Sequence, residues 1–232
     1  MMGTLLMRLA GPLQSYGVDS KFDVRMTGSV PTKSAVTGLI SAALGRGRDV
    51  DISDVAALRF GVRVDRPGKL HIDYQTAKAF DKGGKSADKH NIVGNRYYLT
   101  DAIFLAGVEG ENCFLEEIGQ ALLHPGFQLY LGRRACPVTL PLFLGVREAS
   151  LEEALRGEDW LVNEKYRSRC SPNLQIFLES RGADGITVRD MPVSFSRRDR
   201  LYEYRAVKVV SVYKGEGLKT EEQGEHDPFS PL

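Results

Sequence analysis

Five short stretches of the chain gather side chains that can hold an anion or stack on a flat ring. In LGRRACP (131–137), Arg133 and Arg134 stand side by side between a glycine and a proline. A guanidinium fork pairs with phosphate oxygens two at a time and lies flat on a nucleobase. The plain alternative is a pair of surface ion bridges, which contribute little. SRRDR (196–200) repeats the theme, with Arg197, Arg198 and Arg200 around Asp199 in what reads as a basic hairpin turn. GPLQSYG (11–17) has two glycines that let backbone approach a ligand, and Gln14, Ser15 and Tyr16 that can hydrogen-bond or stack. An ordinary polar turn accounts for the same residues. In PTKS (31–34), Lys33 and Ser34 fall where a helix start offers free N–H groups to phosphate, although capping by Thr32 or Ser34 needs no ligand.

The fifth stretch, 78–98, carries Lys78, Lys82, Lys85, Lys89, His90 and Arg96 against Asp81 and Asp88, with Tyr74, Tyr97 and Tyr98 on its flanks. Basic residues interleaved with aromatics suit a single-stranded backbone with stacked bases. A solvated loop has the same composition. For catalysis the chain offers little: His71, His90, His124 and His226 are scattered, and HExxH, GxSxG and GxxxxGK[ST] are missing. One set remains. Lys89 and His90, with Tyr16 or Tyr74, contain the groups that cut RNA without a metal: a base for the 2′-OH and a cation for the phosphorane. Two adjacent residues are a low-specificity match.

The elements that must position these groups follow from apolar spacing. TLLMRLA (4–10) reads as a buried strand, and 11–30 as a long ordered loop. Val36, Leu39, Ile40, Ala43 and Leu44 recur at helical spacing and stop at Gly45. RFGVRVDR (59–66) alternates as a strand, and 70–77 and 100–109 read as two more. Residues 112–124 form an amphipathic helix with Phe114, Leu115, Ile118, Leu122 and Leu123 inward, and FQLYL (127–131) a further strand. The order strand–helix–strand–excursion–strand–helix–strand predicts an α+β, ferredoxin-like first domain, the scaffold also used by RNA-recognition motifs. We place that domain at 1–141, with an inserted excursion at about 78–96. A smaller, mostly β region follows at 142–214, with strands at 174–180, 185–195 and 201–213. The acidic stretch 215–232 reads as flexible.

Composition sets the outer bounds. The 232 residues carry 31 Lys and Arg against 30 Asp and Glu, but residues 216–232 hold five of the acids and one of the bases. The body is therefore left with 30 basic and 25 acidic groups, a surplus compatible with a polyanionic partner. The three cysteines, Cys113, Cys136 and Cys170, form no C-x-x-C pair, and Cys136 reads as a small buried apolar residue. A reducing cytoplasm fits this usage, and no metal or cofactor is expected. No apolar run reaches membrane-spanning length.

Taken in order, LLMRLAGPLQSYG (5–17), TGSVPTKSAVTGLISAALGRGRD (27–49), DYQTA (73–77), RYYLTDAIF (96–104), YLGRRACPVTLPLFLG (130–145) and MPVSFSRRDRLYEYRAVKV (191–209) resemble the CRISPR-associated Cas family 5 of the RAMP superfamily, in its type I-E form. The resemblance runs to about residue 210 and thins over 150–185. It implies a non-catalytic subunit of a Cascade surveillance complex that caps the crRNA and holds its 5′ handle. It also implies a ferredoxin-like palm, with the excursion as a thumb. Implied partners are Cas7-type backbone subunits, a Cas8-type large subunit and, through the complex, target DNA. The RNA contacts expected on this basis are Gln14, Ser15, Tyr16, Arg25, Lys33, Ser34, Tyr74, Lys85, Lys89, Arg96, Arg133, Arg134, Arg197 and Arg198. The alternative is the type I-C branch, where the homologous subunit is itself the endoribonuclease and Tyr16, Lys89 and His90 would be catalytic.

Overall fold

The computed structural model describes residues 1–17, 24–78, 92–180, 182 and 185–215. Lys85, Lys89, His90 and the acidic segment 216–232 lie outside these residues. The chain opens with β1 (Met2–Ala10), then two short strands, β2 (Leu13–Gln14) and β3 (Val24–Arg25). The 11–30 segment is thus partly stranded rather than all loop. Helix α1 (Lys33–Ala43) begins where Thr32 accepts the Ala35 N–H at 3.2 Å, the Ncap arrangement that satisfies an otherwise orphaned donor. It is followed by α2 (Ser53–Ala57), β4 (Arg59–Arg66), β5 (Lys69–Ala77), β6 (Ile92–Thr100), β7 (Ile103–Glu111) and α3 (Asn112–Leu123). The second half supplies β8 (Phe143–Arg147), α4 (Leu151–Gly157), α5 (Glu164–Arg167), β9 (Asn173–Ser180), β10 (Ile186–Ser194) and β11 (Leu201–Tyr213).

The architecture is α+β, with one large antiparallel sheet of order β10-β11-β9-β4-β7-β1-β8. A smaller sheet, β2-β6-β3 with β5 paired to β6, stands apart from it. Alternation along β1 loads both faces of the large sheet. Leu5, Met7 and Leu9 join Val36 and Ile40 of α1 and Leu115 and Ile118 of α3, while Leu6 joins Leu151 and Leu155 of α4. Each such fully buried aliphatic side chain contributes roughly 1.5–3 kcal/mol of transfer free energy. The boundary expected near residue 141 does not fall at a break in this sheet: β8 pairs with β1, and β9 with β4.

Two sequence expectations need correction. FQLYL is not a strand of the sheet; its place beside β1 is taken by β8. The alternation of Leu129 and Leu131 is real, and both are buried, but the backbone bonds elsewhere. Phe127 N–H donates to Ala42, Leu131 N–H donates to Cys136, and only a lone bridge joins Tyr130 to Pro137. In α3, Leu123 is 54% exposed, because the buried stripe runs through Leu115, Ile118, Gly119 and Leu122.

Candidate nucleic-acid interface

A cleft of about 640 Å³ opens where four segments meet. Helix α1 gives its floor through Ser34, Ala35 and Gly38, and the exit of that helix adds Arg46 and Arg48. The 127–134 segment contributes Phe127, Gln128, Tyr130 and Arg134. The β10–β11 hairpin contributes Phe195, Arg197, Arg200 and Tyr202, and the end of GPLQSYG closes the rim. Among the described residues, five arginines line the cleft and no Asp or Glu does. Arg46 is clamped at 2.6 and 2.7 Å by Asp54, which keeps that cation fixed. Arg48, Arg134, Arg197 and Arg200 are exposed and form no ion pair with described residues. Their summed field favours an anion, and nearby aromatic faces favour flat rings. Phe195 meets Tyr202 edge-on at 6.5 Å, and Phe127 is 52% exposed.

The turn that presents Arg134 is fixed by close packing. Gly132 has φ +80°, and a Cβ there would lie 1.8 Å from the Ser15 carbonyl oxygen, so only glycine fits. Cys136 N–H closes the turn on the Arg133 carbonyl at 2.8 Å, and burial pushes its thiol pKa up. The two neighbouring arginines then part. Arg134 faces the cleft, whereas Arg133 donates to the carbonyls of Tyr97 (3.2 Å), Arg25 (2.7 Å) and Met26 (3.1 Å) and lies 4.9 Å over the Tyr98 ring. Arg133 therefore ties the turn to β3 and β6 by its guanidinium.

Within GPLQSYG the side chains of Gln14, Ser15 and Tyr16 point into the protein. Gln14 donates to the Ala102 carbonyl at 2.8 Å and accepts from the Tyr16 hydroxyl at 2.7 Å. Ser15 donates to the Tyr97 carbonyl at 3.1 Å, and the Tyr16 ring packs edge-on against Phe104 at 6.2 Å. All three residues are buried, so none is available to stack on a base. Burial, with Cys136 adding to it, raises the Tyr16 pKa well above that of a free phenol. The Tyr16 of the expected Tyr/Lys/His set is thus locked away from solvent.

Lys33 is likewise turned inward, against the expectation of a phosphate contact. Its ammonium sits 2.9 Å from both Glu179 oxygens and is 3% exposed, while its backbone N–H donates to Asp190 at 2.8 Å. Desolvation lowers its pKa and Glu179 opposes that shift. Ser34 does reach the cleft, with its hydroxyl 3.2 Å from that of Thr32. Arg197 lines the cleft; Arg198 is exposed on the same hairpin turn without lining it. Arg25, Tyr74 and Arg96 belong to the smaller sheet, where Arg25 pairs in register with Arg96 and Tyr74 is 64% exposed. Arg46, Arg48, Phe127, Tyr130 and Tyr202 also line the cleft and are not among the contacts expected from the sequence. The GRGRD run after α1 was the available signal for the first two.

Among the described residues no helix is long and apolar enough to cross a membrane, and no group of three His, Cys, Asp or Glu is placed to hold a metal. Comparison with known proteins places the chain. Residues 4–208 match the family described as CRISPR-associated protein (Cas_Cas5). The CRISPR system Cascade subunit CasD of Escherichia coli (strain K12) is 36% identical over 162 residues, which are 63% of this chain and 72% of that protein. A solved structure described as a crystal structure of Cas protein superimposes with a TM-score of 0.73 at 43% identity, covering 91% of this chain and 95% of its own. A chain of a CRISPR RNA-guided surveillance complex gives 0.75 at 32% identity, covering 90% of each. With the family pattern matched across most of its length and the fold shared with Cas proteins, this chain belongs to the CRISPR-associated Cas5 family.

Proposed function

We propose that this chain is the non-catalytic subunit of a type I-E Cascade complex that holds the 5′ handle of the crRNA in the arginine-lined cleft. One observation carries the reading: five arginines and the rings of Phe127, Tyr130, Phe195 and Tyr202 converge on one concavity whose described lining holds no carboxylate. Arginine forks take phosphates, and the rings take splayed bases. In this account Arg133, Gln14, Ser15, Tyr16 and Lys33 hold the cleft's walls, and Arg134, Arg197 and Ser34 touch RNA. Arg25, Tyr74, Arg96 and Arg198 are second-rank contacts outside the cleft. The strand order β8-β1-β7-β4, with α1 and α3 on one face, supports a ferredoxin-like palm that extends past residue 141 to include β8. The β5–β6 ribbon and the residues between its strands serve as the thumb, and β9–β11 as the smaller region. Cas7-type backbone subunits and the Cas8-type large subunit are the protein partners, target DNA is met through the complex, and the site of action is the cytoplasm.

The endoribonuclease alternative loses support from the burial of Tyr16, whose hydroxyl is occupied by Gln14. Labelled repeat RNA incubated with the full chain in EDTA separates the readings. Intact RNA bound with strong salt dependence is expected. A discrete cut that disappears in His90→Ala would replace the holding role with the nuclease.

A further inference from the structure

The two main walls of the cleft come from distant parts of the chain, and something must fix one against the other. The hairpin wall hangs from β10 and β11, whose ladder is interrupted twice: the register shifts between Val188 and Met191 and again between Pro192 and Ser194. Bulges of this kind bend and re-aim a strand, so the direction of the hairpin end is set at these two points. Asp190 sits inside the first interruption. It is 2% exposed and faces three donors. Its Oδ2 accepts the Lys33 N–H at 2.8 Å, at the first residue of α1, and Arg205 Nη2 at 2.9 Å. Its Oδ1 accepts Arg205 Nε at 2.5 Å. Arg205 lies 5.2 Å over the Phe60 ring of β4, and Lys33 is held by Glu179 of β9. One carboxylate thus joins the helix that forms the floor to the hairpin that forms the wall, on a base anchored to the sheet.

The consequence is visible a few residues further along both elements. Ser34, Ala35 and Gly38 of α1 face the cleft, and a Cβ at Gly38 would touch Phe195 at 3.7 Å. Phe195, Arg197, Arg200 and Tyr202 follow Asp190 around the hairpin. We infer that Asp190 is a positioning residue for RNA binding: by joining the start of α1 to Arg205, it holds Arg197 and Arg200 at phosphate-contact distance across the cleft. The inference rests on the cleft being the RNA site.

The test is a set of titrations of the full chain with fluorescein-labelled single-stranded repeat RNA over a salt series. Asp190→Asn keeps the shape and an acceptor but loses the charge that organises Arg205. It should weaken binding about tenfold and reduce the salt slope by about 1.4, the equivalent of two single-strand phosphate contacts at roughly 0.7 each. Arg205→Lys, which keeps the charge but not the fork, should move both quantities in the same direction. In an Arg197→Ala/Arg200→Ala background Asp190→Asn should add nothing, because its effect passes through those arginines. A purely structural Asp190 would lower the melting temperature and leave the slope of the folded protein alone. That outcome, or additive effects, or loss of folding in both Asp190→Asn and Arg205→Lys, overturns the inference. If Arg197→Ala/Arg200→Ala itself leaves binding unchanged, the cleft reading fails as a whole. If it weakens binding and folded Asp190→Asn does not, the positioning role alone fails.

Discussion

The polar segment 14–16, which meets the cleft through Ser15 and Tyr16, and the basic rim of Arg48, Arg134, Arg197 and Arg200 satisfy their polar atoms in opposite ways. In the loop every side chain has a partner inside the protein, two of them backbone carbonyls far along the chain. On the rim the guanidinium groups have none among the described residues. The loop therefore stabilises the shape and the rim provides the charge. Substitutions should sort along that line: loop changes move folding stability, and rim changes move RNA affinity.

The largest expected effect tests the rim. Arg134→Ala, Arg197→Ala and Arg200→Ala together should weaken single-stranded RNA binding by on the order of 100-fold at moderate salt and reduce the salt slope by about 2. Thermal unfolding should be nearly unchanged, since exposed unpaired side chains contribute within about 0.5 kcal/mol each. Comparable stability loss in the triple variant would break the division. The next effect belongs to the loop. Gln14→Ala leaves the Tyr16 hydroxyl and the Ala102 carbonyl without their partner in a buried site, so denaturant unfolding should register a loss of about 3 kcal/mol. RNA affinity of the folded fraction should stay at the parent value.

The division is sharpest between two adjacent residues. Arg133→Ala removes three bonds to carbonyls and a cation–π contact, and should lower stability by about 1–2 kcal/mol with a small change in affinity. Arg134→Ala should do the reverse, weakening RNA binding several-fold without a stability change; equal effects of the two in both assays would argue against distinct roles. The smallest effect is a titration. The Tyr16 pKa is raised in the folded state, so near pH 10 the unfolded chain ionises this phenol while the native chain keeps its proton. The folded state then binds more protons than the unfolded one, and stability falls as pH rises through 10. Unfolding curves of Tyr16→Phe should lack that part of the alkaline loss and match the parent's pH dependence below about pH 9.

Most of the fold was legible because its elements are periodic. Thr32 before Val36, Leu39 and Ile40 marked α1, alternation marked β4, and strand-like runs marked β9, β10 and β11. FQLYL misled because Leu129 and Leu131 alternate inward, as strand residues do, while the partners of its backbone lie in the end of α1 and a local turn. Site residues were harder. A buried Gln, Ser, Tyr or Lys is spelled the same as an exposed one, and what separates Lys33 from Arg134 is Glu179, 146 residues away. The basic clusters at 133–134 and 197–200 could be picked out because adjacent arginines are visible locally. Their convergence with Arg48, Phe127 and Tyr130 is tertiary, and no spacing rule contains it.

The central claim is that RNA lies in this cleft, and a photo-crosslink map tests it most directly. Repeat RNA carrying 4-thiouridine, bound to the full chain, should crosslink to Phe127, Tyr130, Phe195 and Tyr202 and leave Tyr16 unmarked. Crosslinks confined to Tyr74 and the rest of the smaller sheet, with those four rings untouched, would contradict the account.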